Sequence, residues 1–288
     1  MAVRNRNLMI VFLNGAFLPE AEAVVSLSDR GFLLGDGLFE TVRVANGQPF
    51  RFSQHMERLA AGADFLKIKL PFTSVELQKF AGKLIALNQL PESVLRLTLT
   101  RGSGVRGYST KGADKPVLAM TLHPLPLSSA LPWSLITSSL RIPAGDALAA
   151  FKTTSKVLNV LARAEAEAGG ADEALLLNTS GEVMETAGGN IFWISCGQVC
   201  TVPTGRGALP GVTRAVVLEI CKQLDLKIKE LIATPDQICQ SEGVFVTQAV
   251  LGIVPVISLD HFTIASSPLV EQLVYAYSEI VHGETGGF

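Results

Sequence analysis

One lysine and one glutamate in the middle of the sequence have the residue types and the setting of a reactive site. We expect the stretch from Phe151 to Ile194 to set Lys152 and Glu185 around a space the size of a cofactor. A lysine amine can act as a nucleophile, acid or base, and a carboxylate can hold a cation or a proton. Lys156, four residues further on, is a rival lysine on the sequence alone.

The segments around these two residues predict how they are positioned. Residues 153–155, Thr-Thr-Ser, are suited to open a helix, so Lys152 is predicted to lie in the turn before it. The apolar face of that helix is predicted from residues at helical spacing, namely Val157, Val160, Leu161 and Ala164. Glycine-punctuated strands are predicted over 173–178, 182–186 and 190–195, which places Glu185 near a strand end.

Three arginines in the first half could recognise an anion. Arg58 lies in a helix predicted over 53–68, where an ordinary surface position is the alternative. An alternating strand over 93–101 leads into the loop 101–109, RGSGVRGYS, in which Arg101 and Arg106 could bind carboxylates by bidentate hydrogen bonds. Three glycines predict that this loop is mobile or approaches a ligand closely, while a solvated basic turn is the alternative.

A helix predicted from Thr213 onward offers a further anion site. The amides of Val212 and Thr213 would point outward from its N-terminus, where free N–H groups and the helix dipole favour phosphate. Every helix has such an end, so this pattern alone does not identify a site.

Composition favours a small-molecule ligand. The 288 residues are 48% hydrophobic with a net charge of −2, and lysines and arginines form no runs, so neither nucleic acid nor an anionic membrane is indicated. No apolar stretch approaches the ~20 residues that span a bilayer. The apolar run 8–13 ends at Asn14-Gly15, which predicts a first strand and hairpin turn and not a secretory signal.

The cysteines and histidines predict no metal site. The four cysteines lack paired CxxC spacing and the four histidines are scattered. We expect reduced thiols in a cytoplasmic protein.

The order of predicted elements indicates two α+β domains. The most proline-dense segment marks their boundary, which gives a smaller N-terminal domain (1–123), a linker (124–132) and a larger C-terminal domain (133–288), to which the resemblance described next assigns cofactor binding.

Five segments in this order resemble the fold-type IV pyridoxal-phosphate enzymes. That family includes branched-chain and D-amino-acid aminotransferases and 4-amino-4-deoxychorismate lyases. The resemblance covers nearly the whole chain and implies the two-domain D-amino-acid aminotransferase-like fold, pyridoxal 5′-phosphate as cofactor and a homodimer. Its segments are SDRGFLLGDGLFETVRV, HMERL, ADEALLLNTSGEVMETAGGNIFW, PGVTR and EGVFVTQAVLGIVPV.

The resemblance also implies roles for single residues. It selects Lys152 over Lys156 as the lysine that binds the cofactor covalently and then acts as acid and base on the substrate. Glu185 matches the residue that keeps the pyridine nitrogen protonated, and Arg58 matches the phosphate-binding arginine. Further phosphate contacts are implied for the amides of Val212 and Thr213 and for the loop Gln248-Ala249.

Two features favour the lyase among these activities. The loop RGSGVRGYS looks like that of aminodeoxychorismate lyases, and TQAVLGIVPV lacks the Gly-Thr and acidic residue typical of the transaminases. Thr41 falls where those lyases place a threonine that helps to protonate the departing product. The expected products are pyruvate and 4-aminobenzoate, with Arg101, Arg106 and Tyr108 as substrate-binding residues and the loop completing the partner's site.

A transaminase acting on D-amino acids or branched-chain amino acids remains the alternative. Glu40 replaces a second threonine found in some lyases, and Ser155 replaces an asparagine. Arg101 also resembles the carboxylate-binding arginine of D-amino-acid transaminases. Val157 stands where branched-chain enzymes have a tyrosine, which argues against that branch.

Overall fold

The chain divides into two units in the computed structural model, which describes residues 9–126 and 132–286. The first unit holds residues 9–126, 152–155 and 285–286, and the second holds 132–151 and 156–284. The predicted linker 124–132 includes residues 127–131, which lie outside the described residues, so that boundary stays a prediction.

An antiparallel sheet with the strand order β2-β1-β6-β5-β3-β4 forms the centre of the first unit. Helices α2 and α3 pack on one face of it. The elements are β1 (Ile10–Leu13), β2 (Ala16–Pro19), α1 (Arg30–Leu34), β3 (Gly37–Ala45), β4 (Gln48–Pro49), α2 (Phe52–Leu66), α3 (Ser74–Asn88), β5 (Ser93–Thr100) and β6 (Val117–Pro124).

Local sequence accounts for most of these elements. The alternation in β5 is confirmed, because Leu95, Leu97 and Leu99 are fully buried. A capping box of Thr73 and Glu76 begins α3, as its sequence predicts. The short helix α1 was not predicted.

Local signals mark both ends of helix α1. The Asp29 carboxylate accepts hydrogen bonds from the amides of Gly31 and Phe32, and the helix stops where Gly35 adopts a left-handed conformation. Five residues are too few to show helical periodicity, so only these caps could have revealed the helix.

A mixed sheet dominates the second unit. Among the described residues its order is β12-β11-β10-β13-β14-β7-β8-β9, with β15 paired to β14. The pairs β11–β12, β14–β7 and β7–β8 are parallel and the others are antiparallel.

The elements of the second unit confirm the strands predicted over 173–178 and 190–195. They are β7 (Trp133–Ile142), α4 (Val157–Ala168), β8 (Glu173–Asn178), β9 (Val183–Thr186), β10 (Asn190–Ser195), β11 (Gln198–Thr201), α5 (Val212–Gln223), β12 (Ile228–Glu230), α6 (Pro235–Cys239), β13 (Gly243–Gln248), β14 (Gly252–Leu259), β15 (Phe262–Thr263) and α7 (Pro268–Thr285). Helix α4 packs on β7 and β8, and stacked rings of Phe192 and Phe245 lie 4.9 Å apart in the core.

The predicted start and apolar face of α4 were wrong. The helix begins at Val157 and not in the segment 153–155, because those residues hydrogen-bond to β3 of the first unit. Val157 and Val160 are 69% and 64% exposed, while Ala162 and Ala166 are the buried residues. Small alanines let α4 approach the sheet closely, so the larger side chains are left on the outer face.

No helix in the described ranges is both long and apolar enough to cross a membrane. All four cysteines are free, and burial raises the pKa of the Cys221 thiol to about 11. Within residues 9–126 and 132–286, no group of three His, Cys, Asp or Glu side chains could hold a metal ion.

Candidate active site

Lys152 lies on a short segment that pairs with β3 of the first unit. The Phe39 amide donates to the Lys152 carbonyl over 2.9 Å, and the Thr154 amide donates to the Gly37 carbonyl over 2.9 Å. The Lys152 Nζ atom lies 4.6 Å from the centroid of the Phe39 ring. Two backbone hydrogen bonds therefore fix the position from which the lysine side chain extends.

Gly37 allows β3 to lie close against β5 beside this segment. A Cβ atom at residue 37 would lie 2.5 Å from the Leu99 carbonyl oxygen and 3.2 Å from Thr154 Oγ1. This glycine therefore serves a close approach, since any side chain here would push β3 and β5 apart.

A buried ion pair holds Arg58. Its Nε donates to Glu40 Oε1 over 2.8 Å and its Nη2 donates to Glu40 Oε2 over 2.6 Å. Burial raises the pKa of Glu40, but hydrogen bonds from Arg58 and His55 outweigh it and leave the pKa below the ordinary value. The guanidinium is therefore anchored by a bidentate carboxylate and cannot rotate freely.

His55 completes this cluster as a neutral residue. Its Nδ1 atom lies 2.7 Å from Glu40 Oε2. Burial lowers the pKa of His55, and the charges of Arg58 and Lys152 lower it further against the opposing effect of Glu40. The charge of Lys152 is therefore close enough to act on His55 within the first unit.

The opposite face of the β3–β5 pair carries Thr41 and Arg96, which are direct cross-strand neighbours. The Arg96 guanidinium carbon lies 3.8 Å from the centroid of the Phe39 ring, the same ring that Lys152 approaches. Burial lowers the pKa of Arg96, and no carboxylate of the described residues forms an ion pair with it. Alternation along β5 puts Arg96 on the face opposite the buried leucines, but nothing in the sequence singles it out as a ligand.

Arg101 binds a carboxylate, as its residue type predicts, but that carboxylate is Asp36 of the same chain. Its Nε and Nη2 atoms donate to Asp36 over 2.8 and 3.0 Å, and it also donates to the carbonyls of Leu66 and Lys67. Burial raises the pKa of Asp36, but hydrogen bonds from Arg101 and Arg30 outweigh it and hold the pKa below the ordinary value. Four N–H groups of Arg101 are therefore used within the protein.

Arg30 fixes the loop that follows Arg101. It donates to Asp36 through Nε and to the carbonyls of Gly107, Tyr108 and Ser109 through its two Nη atoms. The loop backbone is thus tied to α1, while the Tyr108 side chain is 89% exposed and Arg106 is exposed.

In the second unit, Glu185 and the N-terminus of α5 lie near one connecting segment. Glu185 Oε2 accepts a hydrogen bond from the Leu209 amide over 3.0 Å. Two residues later, Gly211 precedes α5 without a capping side chain, and Val212 and Thr213 are buried in the first turn.

The end of β13 supplies a hydroxyl group that was not predicted. Thr247 Oγ1 is buried and has no hydrogen-bond partner among the residues that the structure describes. Gln248 and Ala249 follow it directly. A buried hydroxyl without a partner costs about 1–3 kcal/mol, so such a group in a native protein points to a ligand or solvent that satisfies it.

Comparison with known proteins decides the family. Residues 37–259 match the family model described as amino-transferase class IV. The chain belongs to the class IV aminotransferases. Enzymes of this family use pyridoxal phosphate, as the resemblance implied.

Several class IV relatives carry different names. A Methanocaldococcus jannaschii protein assigned as a branched-chain-amino-acid aminotransferase is 33% identical over 88% of each chain. The D-alanine aminotransferase of Bacillus licheniformis is 28% identical and covers 96% of this chain and 99% of its own. The aminodeoxychorismate lyase of Bacillus subtilis is 28% identical over 89% of each chain.

A solved structure of a class IV relative confirms the predicted α+β fold. It is the branched-chain aminotransferase of the thermophilic archaeon Thermoproteus uzoniensis, crystallised with norvaline. It superposes with a TM-score of 0.91 at 27% identity, and the match covers 96% of each chain.

Taken unit by unit, the residues present are suited to single groups of the cofactor. An uncapped helix N-terminus and the unpartnered Thr247 hydroxyl are suited to a phosphate group, because both offer N–H or O–H donors. Glu185, a carboxylate fixed by a backbone amide, is suited to a protonated pyridine nitrogen. A lysine amine beside an aromatic ring is suited to the carbonyl of the cofactor.

Proposed function

We propose that this class IV enzyme is a 4-amino-4-deoxychorismate lyase that releases pyruvate and 4-aminobenzoate. The observation that carries the proposal is the arrangement around Phe39. The Lys152 amine and the Arg96 guanidinium both approach the Phe39 ring, and Thr41, the cross-strand neighbour of Arg96, carries a hydroxyl group. The reaction needs a base, a proton donor and a carboxylate ligand, and these three residues provide them.

Each group has a defined task in the reaction. The Lys152 amine removes the proton from the amine-bearing carbon, the bond from the ring to the enolpyruvyl oxygen breaks, and the ring becomes aromatic. Thr41 Oγ1 assists delivery of a proton to the departing enolpyruvyl group, which leaves as pyruvate. The bound cofactor supplies an electron sink, and Glu185 keeps its ring nitrogen protonated.

We assign substrate carboxylate binding to Arg96 in preference to Arg101. The Arg101 fork is filled by Asp36, whereas Arg96 has no ion-pair partner in the described chain and lies beside Thr41. Arg96→Gln should raise KM about tenfold or more, because a charged hydrogen bond to a carboxylate contributes about 1.5–3 kcal/mol. A KM unchanged within twofold, with folding intact, would return the assignment to Arg106 or Tyr108.

Phosphate binding is proposed for Arg58, the amides of Val212 and Thr213, and the Gln248-Ala249 turn. The uncapped start of α5 supports the two amides in this set. Arg58 enters it on the resemblance alone, because Glu40 already holds its Nε and Nη2 atoms. We add the Thr247 hydroxyl to this set, because it is buried and has no hydrogen-bond partner among the described residues.

A transaminase is the second candidate, because relatives named branched-chain-amino-acid and D-alanine aminotransferase match almost the full length. The two reactions separate in one assay. Lyase products hold all the atoms of the substrate, so no acceptor is needed, whereas a transaminase requires an amino donor and a keto acid.

The acceptor-free assay therefore tests the proposal. Purified enzyme with pyridoxal phosphate and aminodeoxychorismate should form pyruvate and 4-aminobenzoate in a one-to-one ratio. A panel of D- and L-amino acids with 2-oxoglutarate or pyruvate serves as the comparison. Turnover on the panel without release of 4-aminobenzoate would replace the lyase by a transaminase.

We also propose a homodimer in the cytoplasm. The exposed apolar residues Phe32 and Leu33 on α1, and Val157 and Val160 on α4, support association of two chains. The anchored loop, with Tyr108 and Arg106 directed outward, is proposed to complete the partner's site. A mass of one chain by sedimentation at micromolar concentration would contradict the dimer.

A further inference from the structure

Glu185 and Asn190 reach the same residue from two neighbouring strands. Glu185 lies on β9 and Asn190 begins β10, with a tight turn closed by Thr186 and Gly189 between them. Glu185 Oε2 accepts from the Leu209 amide over 3.0 Å, and Asn190 Nδ2 donates to the Leu209 carbonyl over 2.8 Å. Both polar backbone groups of Leu209 are therefore held by these two side chains.

Asn190 also contacts the residue that precedes α5. A Cβ atom at residue 211 would lie 2.1 Å from Asn190 Oδ1, a distance that no side chain tolerates. The φ of Gly211 is −67°, which any residue can adopt, so space and not backbone conformation requires glycine here. The buried amide of Asn190 thus packs against both ends of the segment 209–211.

The segment 209–211 can adopt few backbone conformations and can make few hydrogen bonds of its own. Pro210 has no N–H group and restricts Leu209 to extended conformations. The position of the segment 209–211 therefore depends on the residues around it. Asn190 supplies a hydrogen bond to Leu209 and a steric contact with Gly211.

We infer that Asn190 is a positioning residue that sets the Glu185 carboxylate and the phosphate-binding start of α5 in a fixed relation through the segment 209–211. The inference rests on the proposed roles of Glu185, Val212 and Thr213. Loss of the Asn190 amide should leave Leu209 free to shift, which moves the N–H that orients Glu185 and the first amides of α5 together.

The test uses two readouts on purified full-length protein reconstituted with pyridoxal phosphate. One is the dissociation constant of the cofactor, and the other is the pH titration of its visible absorbance. Asn190→Ala should weaken cofactor binding about tenfold and shift the absorbance titration in the same direction as Glu185→Gln. Gly211→Ala should reproduce both changes, because it displaces the Asn190 amide without removing a polar group.

Asn178→Ala is the matched control. Asn178 is a buried asparagine of β8 whose side chain hydrogen-bonds Glu182 and the amide of Ser180 and not Leu209. Its replacement should lower stability without changing either readout.

The outcomes separate the inference from the proposed function. If Glu185→Gln shifts the titration but Asn190→Ala and Gly211→Ala bind cofactor and absorb like the wild type, Asn190 is merely structural and the inference is overturned. If Glu185→Gln itself leaves the titration unchanged, the role of Glu185 fails and the inference falls with it. If Asn190→Ala does not fold, Gly211→Ala and the isosteric Asn190→Asp decide, since either should show the same two changes.

Discussion

Replacing Lys152 with alanine should abolish turnover and the visible absorbance of enzyme-bound cofactor. The lysine has two tasks in the proposed reaction, covalent attachment of the cofactor and proton transfer at the amine-bearing carbon. General acid–base catalysis alone contributes typically 10²–10⁴-fold, so we expect a loss of at least about 10³-fold in kcat. Stability should change little, because the Lys152 contacts that position the chain are made by its backbone.

Lys156→Ala is the matched control for this experiment. Lys156 lies four residues away, immediately before α4, and is a lysine of similar partial exposure. Its variant should retain the absorbance band and at least about half of the wild-type rate. A band that survives in Lys152→Ala and disappears in Lys156→Ala would reverse the assignment of the two lysines.

Replacing Glu40 with alanine should cost about 3–5 kcal/mol of the free energy of unfolding. Removal of one partner from a buried ion pair leaves the other charge uncompensated, and here the charge is that of Arg58. Such a loss is a large part of the total stability of a typical domain. Cofactor affinity should fall as well, since Arg58 loses the carboxylate that orients it.

An exposed ion pair provides the control for Glu40. Arg163 and Glu167 on α4 are separated by 3.0 Å, a distance similar to those in the Glu40 cluster, but both side chains are well exposed. Glu167→Ala should cost no more than about 0.5 kcal/mol. Urea titrations that gave equal losses for the two variants would contradict a structural role for the buried carboxylate.

The same carboxylate predicts a dependence of stability on pH. Because the folded state lowers the pKa of Glu40, its contribution is fully present above the unfolded value of about 4.5 and is lost as the pH falls through the folded value. His55, whose pKa is also lowered in the folded state, should begin to reduce stability already below about pH 6.5. The Glu40→Ala variant should lack the lower part of this acid transition.

Much of the fold follows from local sequence, because periodicity and capping act over a few residues. The alternation of β5 and the capping box of α3 required no knowledge of the rest of the chain. The predicted start of α4 was wrong for the same reason, because the prediction used only local sequence. Thr153 and Thr154 favour a helix start locally, but hydrogen bonds to β3 hold them in an extended segment.

The candidate site was predictable in its residue types and less so in its pairings. Only the resemblance selected Lys152, Glu185 and Arg58 together. Local sequence patterns could not show their contacts, because the partners lie on segments that are distant in the sequence. Arg101 and Arg96 show the limit clearly. Arg96 lies within β5 and Arg101 follows its last residue. Only the position of Asp36 in the structure reveals that Arg101 is already neutralised.

The pairing of residues 152–155 with β3 joins segments that are far apart in the sequence. More than one hundred residues separate Lys152 from Phe39 along the chain, and closing a loop of that length carries a conformational entropy cost before any contact is gained. Contacts of such sequence separation form slowly. The environment of Lys152 is therefore completed only after residues 132–151 of the second unit have been synthesised and the chain has returned to the first unit, so a shorter N-terminal fragment holds Arg58 and Glu40 without the lysine.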